Sequence, residues 1–105
     1  MNLNYFQTEC LRTWRKEKPR WVKLVNAYTG LLGEVGEVTE PIKKKFFHKS
    51  ELPTDQDVLD LATDDMKKEL GDVLYYVAMT AYELGFDLDD IAQTNIQKLK
   101  ERYGG

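Results

Sequence analysis

From Leu70 to Leu84 the chain is apolar or aromatic nearly all the way round a helix, with Val73, Tyr75, Tyr76, Val77, Met79 and Tyr82 closing off any polar face. Such a helix wants protein on more than one side. A chain of 105 residues has room for one domain and a modest core, so a single copy is short of covering material. The pattern predicts a homodimer, or a dimer of dimers, with this helix at the interface.

Elsewhere apolar residues recur at helical spacing and nowhere alternate as in a strand. Leu3, Phe6, Cys10 and Trp14 give a first amphipathic helix that fades before Pro19. Leu24, Tyr28, Leu31, Val35, Val38 and Ile42 stripe a second, whose latter part carries Pro41; the missing donor predicts a kink or interruption there. Residues 47–53 read as a loop. Thr54, followed by the acids Asp55 and Asp57, opens a long third helix through Leu59, Met66, Leu70, Leu74, Val77 and Ala81 that stops at Gly85. Asp87 caps a fourth, with Leu88, Ile91, Ala92, Asn95 and Leu99 on one face. The expected fold is all-α: about four helices in one domain over residues 1–105, the bundle completed by homodimerisation.

Two short words break the apolar pattern: Glu34-Val35-Gly36-Glu37 and Glu69-Leu70-Gly71-Asp72. Residues three apart share a helix face, so each word sets two carboxylates side by side among apolar neighbours. Two such helices packed antiparallel can bring all four together. A carboxylate sunk in apolar surroundings costs several kcal/mol unless a cation compensates, and few basic residues lie within these segments. A hard divalent ion suits an all-oxygen donor set, and Mg²⁺ usually keeps water and phosphate oxygens in its shell. Glycine inside a helix costs roughly 1 kcal/mol relative to alanine, so Gly33, Gly36 and Gly71 call for close helix approach or for ligand space beside the acids. A lone E-x-x-E is usually a solvated face; two matching words with interior glycines are harder to dismiss. A di-iron bundle would instead need Glu-x-x-His pairs, and His48, the one histidine, has no Glu three residues before it.

Composition narrows the functional classes. A net charge of −3 lacks the basic face of a nucleic-acid binder, so no nucleic-acid polymer is expected as partner. Phosphorylated ligands stay open, because a bound metal reverses the sign of an acidic pocket. Cys10 is the single cysteine, which leaves no intrachain disulfide or thiolate cluster. Met1-Asn2-Leu3-Asn4 lacks the blocks of a signal peptide, and no apolar run nears the ~20 residues of a membrane span. A cytoplasmic location without membrane association is the expectation.

The string Gly30-Leu31-Leu32-Gly33-Glu34-Val35-Gly36-Glu37-Val38, then Lys43-Lys44-Lys45-Phe46-Phe47-His48, then Glu69-Leu70-Gly71-Asp72-Val73-Leu74-Tyr75-Tyr76, then Asn95-Ile96-Gln97-Lys98-Leu99 with Arg102-Tyr103, resembles the MazG-like branch of the all-α nucleoside triphosphate pyrophosphatases over nearly the whole chain. The resemblance implies a helical fold completed by dimerisation, sometimes tetramerisation. It also implies Mg²⁺ at Glu34, Glu37, Glu69 and Asp72, with Mn²⁺ as a substitute, and hydrolysis of a nucleoside triphosphate to monophosphate and pyrophosphate. Asn95 and Lys98 match the family's tail asparagine and lysine, which look like phosphate or metal-shell contacts. Three departures stand out: Gly33 where many relatives carry a further Glu, Pro41 where the helix is often continuous, and Tyr75 where Trp is common.

Chemistry assigns roles beside the resemblance. Cleavage between the α and β phosphates needs charge neutralisation and an aligned water, which a metal-holding acid cluster supplies. Glu34 or Glu37 is the candidate proton acceptor. Lys98 can meet phosphate as a point charge or sit in solvent; Asn95 is a ligand contact or a register-setting amide. Tyr76, four residues after Asp72, either hydrogen-bonds a phosphate or sugar or simply packs. Lys43, Lys44, Lys45 and Lys49 can steer a triphosphate or favour a helix end. Trp14 and Trp21 are candidates for base stacking, although helix-spaced aromatics are more often core. His48 reads as a surface loop residue. Two other functions stay open: a phosphoribosyl-ATP pyrophosphohydrolase on the same scaffold, and a non-catalytic helical oligomer binding a metal or nucleotide.

Overall fold

The computed structural model describes residues 1–47 and 51–105. They form five helices: α1 (Leu3–Cys10), α2 (Arg20–Phe47), α3 (Asp55–Asp60), α4 (Asp64–Glu83) and α5 (Leu88–Tyr103). No strand occurs among the described residues, in line with the all-α reading. Asn2 caps α1, its side-chain oxygen accepting the Tyr5 N–H at 2.8 Å. Beyond Cys10 the backbone tightens into i→i−3 turns that end with the Trp14 N–H on the Leu11 carbonyl at 3.3 Å.

Two element boundaries differ from expectation. Pro41 does not interrupt α2, which runs unbroken for 28 residues. The carbonyl that loses its donor is that of Glu37, an exposed residue, so water can take the vacant place. The long third helix is in fact two, α3 and α4, parted at residues 61–63. Thr63 starts α4 by accepting the Met66 N–H at 3.1 Å, with Asp64 and Asp65 favourably placed in the first turn. Thr54 starts α3 through the reverse contact, its backbone N–H donating to the Asp57 side-chain Oδ2 at 2.8 Å. Lys45, near the end of α2, pairs with Asp60 at 3.0 Å and Asp57 at 3.9 Å and fastens α3 beneath it.

At α5 the expected cap works differently. Asp87 is the N-cap residue but makes no side-chain capping bond. The orphan donors are met from α1: Leu88 N–H donates to Gln7 Oε1 and Asp89 N–H to Asn4 Oδ1, each at 3.0 Å. The buried Gln7 amide also donates to the carbonyls of Ala78 at 3.2 Å and Phe86 at 3.0 Å, so one side chain ties α1, α4 and α5 together. Gly85, at φ +81°, makes the turn between α4 and α5.

The centre of the chain is a packed group of Cys10, Ala27, Ala78, Met79 and Leu88, with Leu3, Phe6, Trp14, Tyr75 and Val77 around it. The main packing is α2 on α4. The pairing of Gly30 with Tyr76 and of Lys23 with Glu83 shows that these two helices run antiparallel. Much apolar surface is left over: Tyr28, Leu32 and Leu70 are 61 %, 64 % and 53 % exposed, and Leu74 and Tyr82 on α4 are also open. The Cα radius of gyration is 16.9 Å, against about 13 Å for a compact domain of this length. No helix among the described residues is long and apolar enough to cross a membrane.

Candidate metal centre and adjoining cleft

Antiparallel packing of α2 on α4 brings the two acid words to the same level. Glu34, Glu69 and Asp72 each offer a carboxylate oxygen, and these oxygens lie within 4.8 Å of one another. Glu34 and Glu69 are half-buried and Asp72 is exposed. Oxygens sharing one Mg²⁺ at roughly 2.1 Å stand about 3–4 Å apart, so side-chain adjustments of an ångström or so would close the set. The donor chemistry, oxygen only and anionic, fits a hard divalent cation.

The electrostatics point the same way. Partial burial pushes the Glu34 carboxyl above its usual range, and the charges of Asp72 and Glu69, a hydrogen bond with Glu69, and the charge of Glu37 push it further. Like charges this close disfavour full ionisation unless a cation joins them. Glu37 does not belong to the three-oxygen group. It is exposed and lines a neighbouring groove of about 310 Å³ with Glu69, Pro41 and the acids Asp60 and Asp65.

Beside the acids, toward the start of α2, opens a cleft of about 540 Å³. Trp14, Tyr75 and Tyr76 form its aromatic wall, packed edge to face with ring centroids 5.1–6.4 Å apart. Thr13, Arg15, Lys23, Asn26, Thr29 and Gly30 supply the rest of the lining. Tyr75 OH and Thr13 Oγ1 are hydrogen-bonded at 3.0 Å. Tyr76 stands between cleft and acids. Its phenol pKa is raised by burial first, then by Tyr75, Glu34 and Asp72, which keeps the O–H protonated and available as a donor. Gly30 is where α2 makes room for that ring: a Cβ there would fall within 2.6 Å of Tyr76 Cδ1 and Cζ. Gly33, Gly36 and Gly71, by contrast, have nothing within 4 Å of an added Cβ. Within one chain the last three are therefore open ground next to the acids rather than points of close approach.

Some of the expected residues lie elsewhere in the single chain. Trp14 is in the cleft wall, but Trp21 is 70 % exposed and outside the lining. Asn95 and Lys98 are exposed on α5, which packs against α1 and α4; neither joins the acidic group or lines the cleft. Lys44 is exposed and pairs with Glu40 at 3.8 Å, one turn back along the same helix. His48 and Lys49 lie outside the described residues.

The cleft lining and the side chain packed behind it include residues that sequence reasoning passes over. Lys23 lines the cleft, and Glu83, wholly enclosed at the end of α4, accepts the Trp14 indole N–H at 2.7 Å. A signal for Glu83 existed. An acid in the last turn of a helix opposes the dipole, and α4 has no basic residue there to balance it.

A family model described as the MazG nucleotide pyrophosphohydrolase domain matches residues 25–104. That match takes in both acid words, Tyr75, Tyr76, Glu83 and all of α5, but neither Trp14 nor Lys23. The chain is also similar to the Gene 37 protein of Mycobacterium phage L5, at 38 % identity over 73 residues, 70 % of this chain and 60 % of that protein. The chain thus spans less than two thirds of the curated relative it matches. No solved structure gives a significant match.

Proposed function

We infer that this chain, which belongs to the MazG nucleotide pyrophosphohydrolase family, hydrolyses a nucleoside triphosphate, ribo- or deoxyribo-, to the monophosphate and pyrophosphate with Mg²⁺. The observation that carries the reading is the convergence of Glu34, Glu69 and Asp72 beside an aromatic-walled cleft of nucleoside size. Acids would hold the metal and, through it, the phosphates; the cleft would take the sugar and base.

When bound, Mg²⁺ supplies neutralisation of the triphosphate charge and makes water more acidic. The chain supplies the rest. Glu34, Glu69 and Asp72 are the ligand set. Glu37, outside that set yet near enough to act on Glu34, is the carboxylate left to accept a proton from the attacking water. Tyr76, held neutral, donates its hydroxyl hydrogen toward the α-phosphate or the sugar. Trp14 and Tyr75 shield the nucleoside from water.

A second copy of the chain belongs to this reading. The accessible area is 8003 Å², about 1,900 Å² more than the ~6,100 Å² expected for a compact chain of this mass. Two chains each hiding that excess would share an interface in the range of obligate homodimers. The open stripe of Tyr28, Leu32, Leu70 and Leu74 beside the acids is its centre. The same docking gives Asn95 and Lys98 a purpose: α5 of the partner would bring them to phosphates held at the acids, which α5 of the same chain does not do.

The test is pyrophosphate release from a panel of common and modified nucleoside triphosphates together with phosphoribosyl-ATP, with Mg²⁺ or Mn²⁺. Release from at least one triphosphate, abolished in Asp72→Asn while folding is kept, is the expected result. Release from phosphoribosyl-ATP alone would assign the chain to that reaction. No release from any member would leave a non-catalytic metal- or nucleotide-binding oligomer.

A further inference from the structure

The Glu83 carboxylate is 3 % exposed as a residue, and its side chain is fully covered. It lies behind the cleft lining, in contact with the lining residues Trp14 and Lys23, and the acid chemistry described above makes no use of it. Oε2 takes the Trp14 indole N–H at 2.7 Å and stands 3.6 Å from Lys23 Nζ. Oε1 has no hydrogen bond, with only the long approach of the exposed Arg20 at 3.9 Å. A buried carboxylate with half its capacity unmet is expensive, and well-packed apolar residues usually serve a fold better than a buried ion pair. What this carboxylate achieves is specific: it fixes two side chains from two other segments, and both of them line the cleft.

Register tells which end of a ligand these side chains meet. Lys23 lies eleven residues before Glu34 on α2, and Glu83 eleven residues after Asp72 on the antiparallel α4. Eleven helical residues rise about 16 Å along the axis, which sets the Lys23–Glu83 pair well apart from the acids along the two helices. Lys23 is also 85 % covered, its side chain retaining 15 % exposure, which is a poor position for steering by long-range charge. It lines the cleft at the end away from the acids and shares Glu83 Oε2 with the Trp14 indole.

We propose that Glu83 is a positioning residue for the nucleoside half of the substrate, holding the Trp14 ring and the Lys23 ammonium as the end wall of the cleft. Trp14 offers the base an apolar surface, and Lys23, a donor without acceptor capacity, offers hydrogen bonds to oxygens of the base or sugar. Without the carboxylate the indole is free to turn and the lysine swings to solvent, so the wall is lost while the metal site 16 Å away by the helical rise is left intact. The proposal rests on the nucleotide-hydrolase reading of the acids.

The test uses the full chain in a Trp21→Phe background, which makes Trp14 the sole fluorescent indole, and compares Glu83→Gln, Glu83→Ala and Lys23→Met with that parent. Glu83→Gln keeps an acceptor for the indole and loses the charge for Lys23; Glu83→Ala loses both. KM for the best triphosphate should rise about tenfold in Glu83→Ala and less in Glu83→Gln, with kcat within about threefold, as befits a loss of uniform binding. Titration with the four common deoxynucleoside monophosphates, which requires no turnover, should quench Trp14 in the parent and do so more weakly in the same order of variants. Lower melting temperatures with KM and quenching unchanged in the folded variants would make Glu83 a mere tie between helices and overturn the proposal. Monophosphate quenching that depends on Glu83, without pyrophosphate release from the parent, would keep the positioning role and remove the hydrolase. Neither quenching nor turnover would remove both.

Discussion

Replacing Gly30 by alanine tests the junction between cleft and acids at its tightest point. In the native packing an added Cβ would lie within 2.6 Å of Tyr76 Cδ1 and Cζ, where ordinary contact needs 3.4 Å or more. The ring must therefore retreat by about 1 Å, and it is braced on its other sides by Trp14 and Tyr75. Overpacking of this kind costs about 1–3 kcal/mol, while alanine returns roughly 1 kcal/mol of helix propensity. Gly36 is the matched control. It lies in the same helix with nothing within 4 Å of its added Cβ, so Gly36→Ala keeps the propensity gain alone. The two variants should differ by about 1–3 kcal/mol in favour of Gly36→Ala, and each kcal/mol corresponds to roughly 4–8 °C in Tm for a chain of this size. Circular dichroism melts at one fixed protein concentration, needed because association shifts Tm, read the difference. Equal stabilisation by both alanines would mean that the Tyr76 ring does not pack on α2, and the placement of its hydroxyl beside the acids would fall with it.

Other outcomes follow from named contacts. The folded-state pKa of Glu34 is raised, so its contribution to stability is present below its ordinary value of 4.5 and is lost as pH climbs through the raised value. Added Mg²⁺ should therefore increase Tm more at about pH 7.5, where the metal relieves the repulsion, than at about pH 5, where protons compete for the same oxygens; an equal or opposite pH dependence contradicts the cluster. Gln7→Ala strands the Leu88 N–H and two carbonyls in the buried joint of α1, α4 and α5, and should cost about 2–3 kcal/mol in urea unfolding; a loss below about 0.5 kcal/mol would show that the joint is not closed. Leu32→Glu places a charge in the open apolar stripe, and sedimentation should find the wild type a dimer or larger and the variant a monomer. A wild-type monomer at micromolar concentration would remove the second copy from the proposal.

Much of this arrangement is legible along the chain because it is written in helical periodicity. Glu34, Glu69 and Asp72 stand out as charges where hydrocarbon is due, and the fold needs only antiparallel packing of α2 on α4 to join them. The all-round apolar segment of α4 likewise corresponds to side chains such as Leu70, Leu74 and Tyr82 that one chain leaves uncovered. Periodicity overlooks the local grammar of Thr63-Asp64-Asp65: like Thr54, Thr63 stands just before acids of a first turn, and it divides the long third helix in two. Pro41 misleads in the opposite sense, because an exposed carbonyl one turn earlier makes the lost hydrogen bond tolerable inside a continuous helix. Residues that act through distant partners leave only a faint trace. Gln7 meets Leu88 across 81 positions and Glu83 meets Trp14 across 69, and no window of sequence contains both members of either pair. Trp14 and Trp21 look equivalent as helix-spaced aromatics. Only the turns after α1 put the first into the cleft wall while the second faces outward.

Binding of Mn²⁺, followed by the loss of its free-ion electron paramagnetic resonance signal, measures directly whether the convergent carboxylates hold a divalent cation. Wild-type protein should bind saturably, Asp72→Asn and Glu69→Gln should each weaken binding by about tenfold or more, and Glu37→Gln should bind within a few-fold of wild type while losing turnover. Binding unaffected by removal of Asp72 or Glu69 would contradict the site.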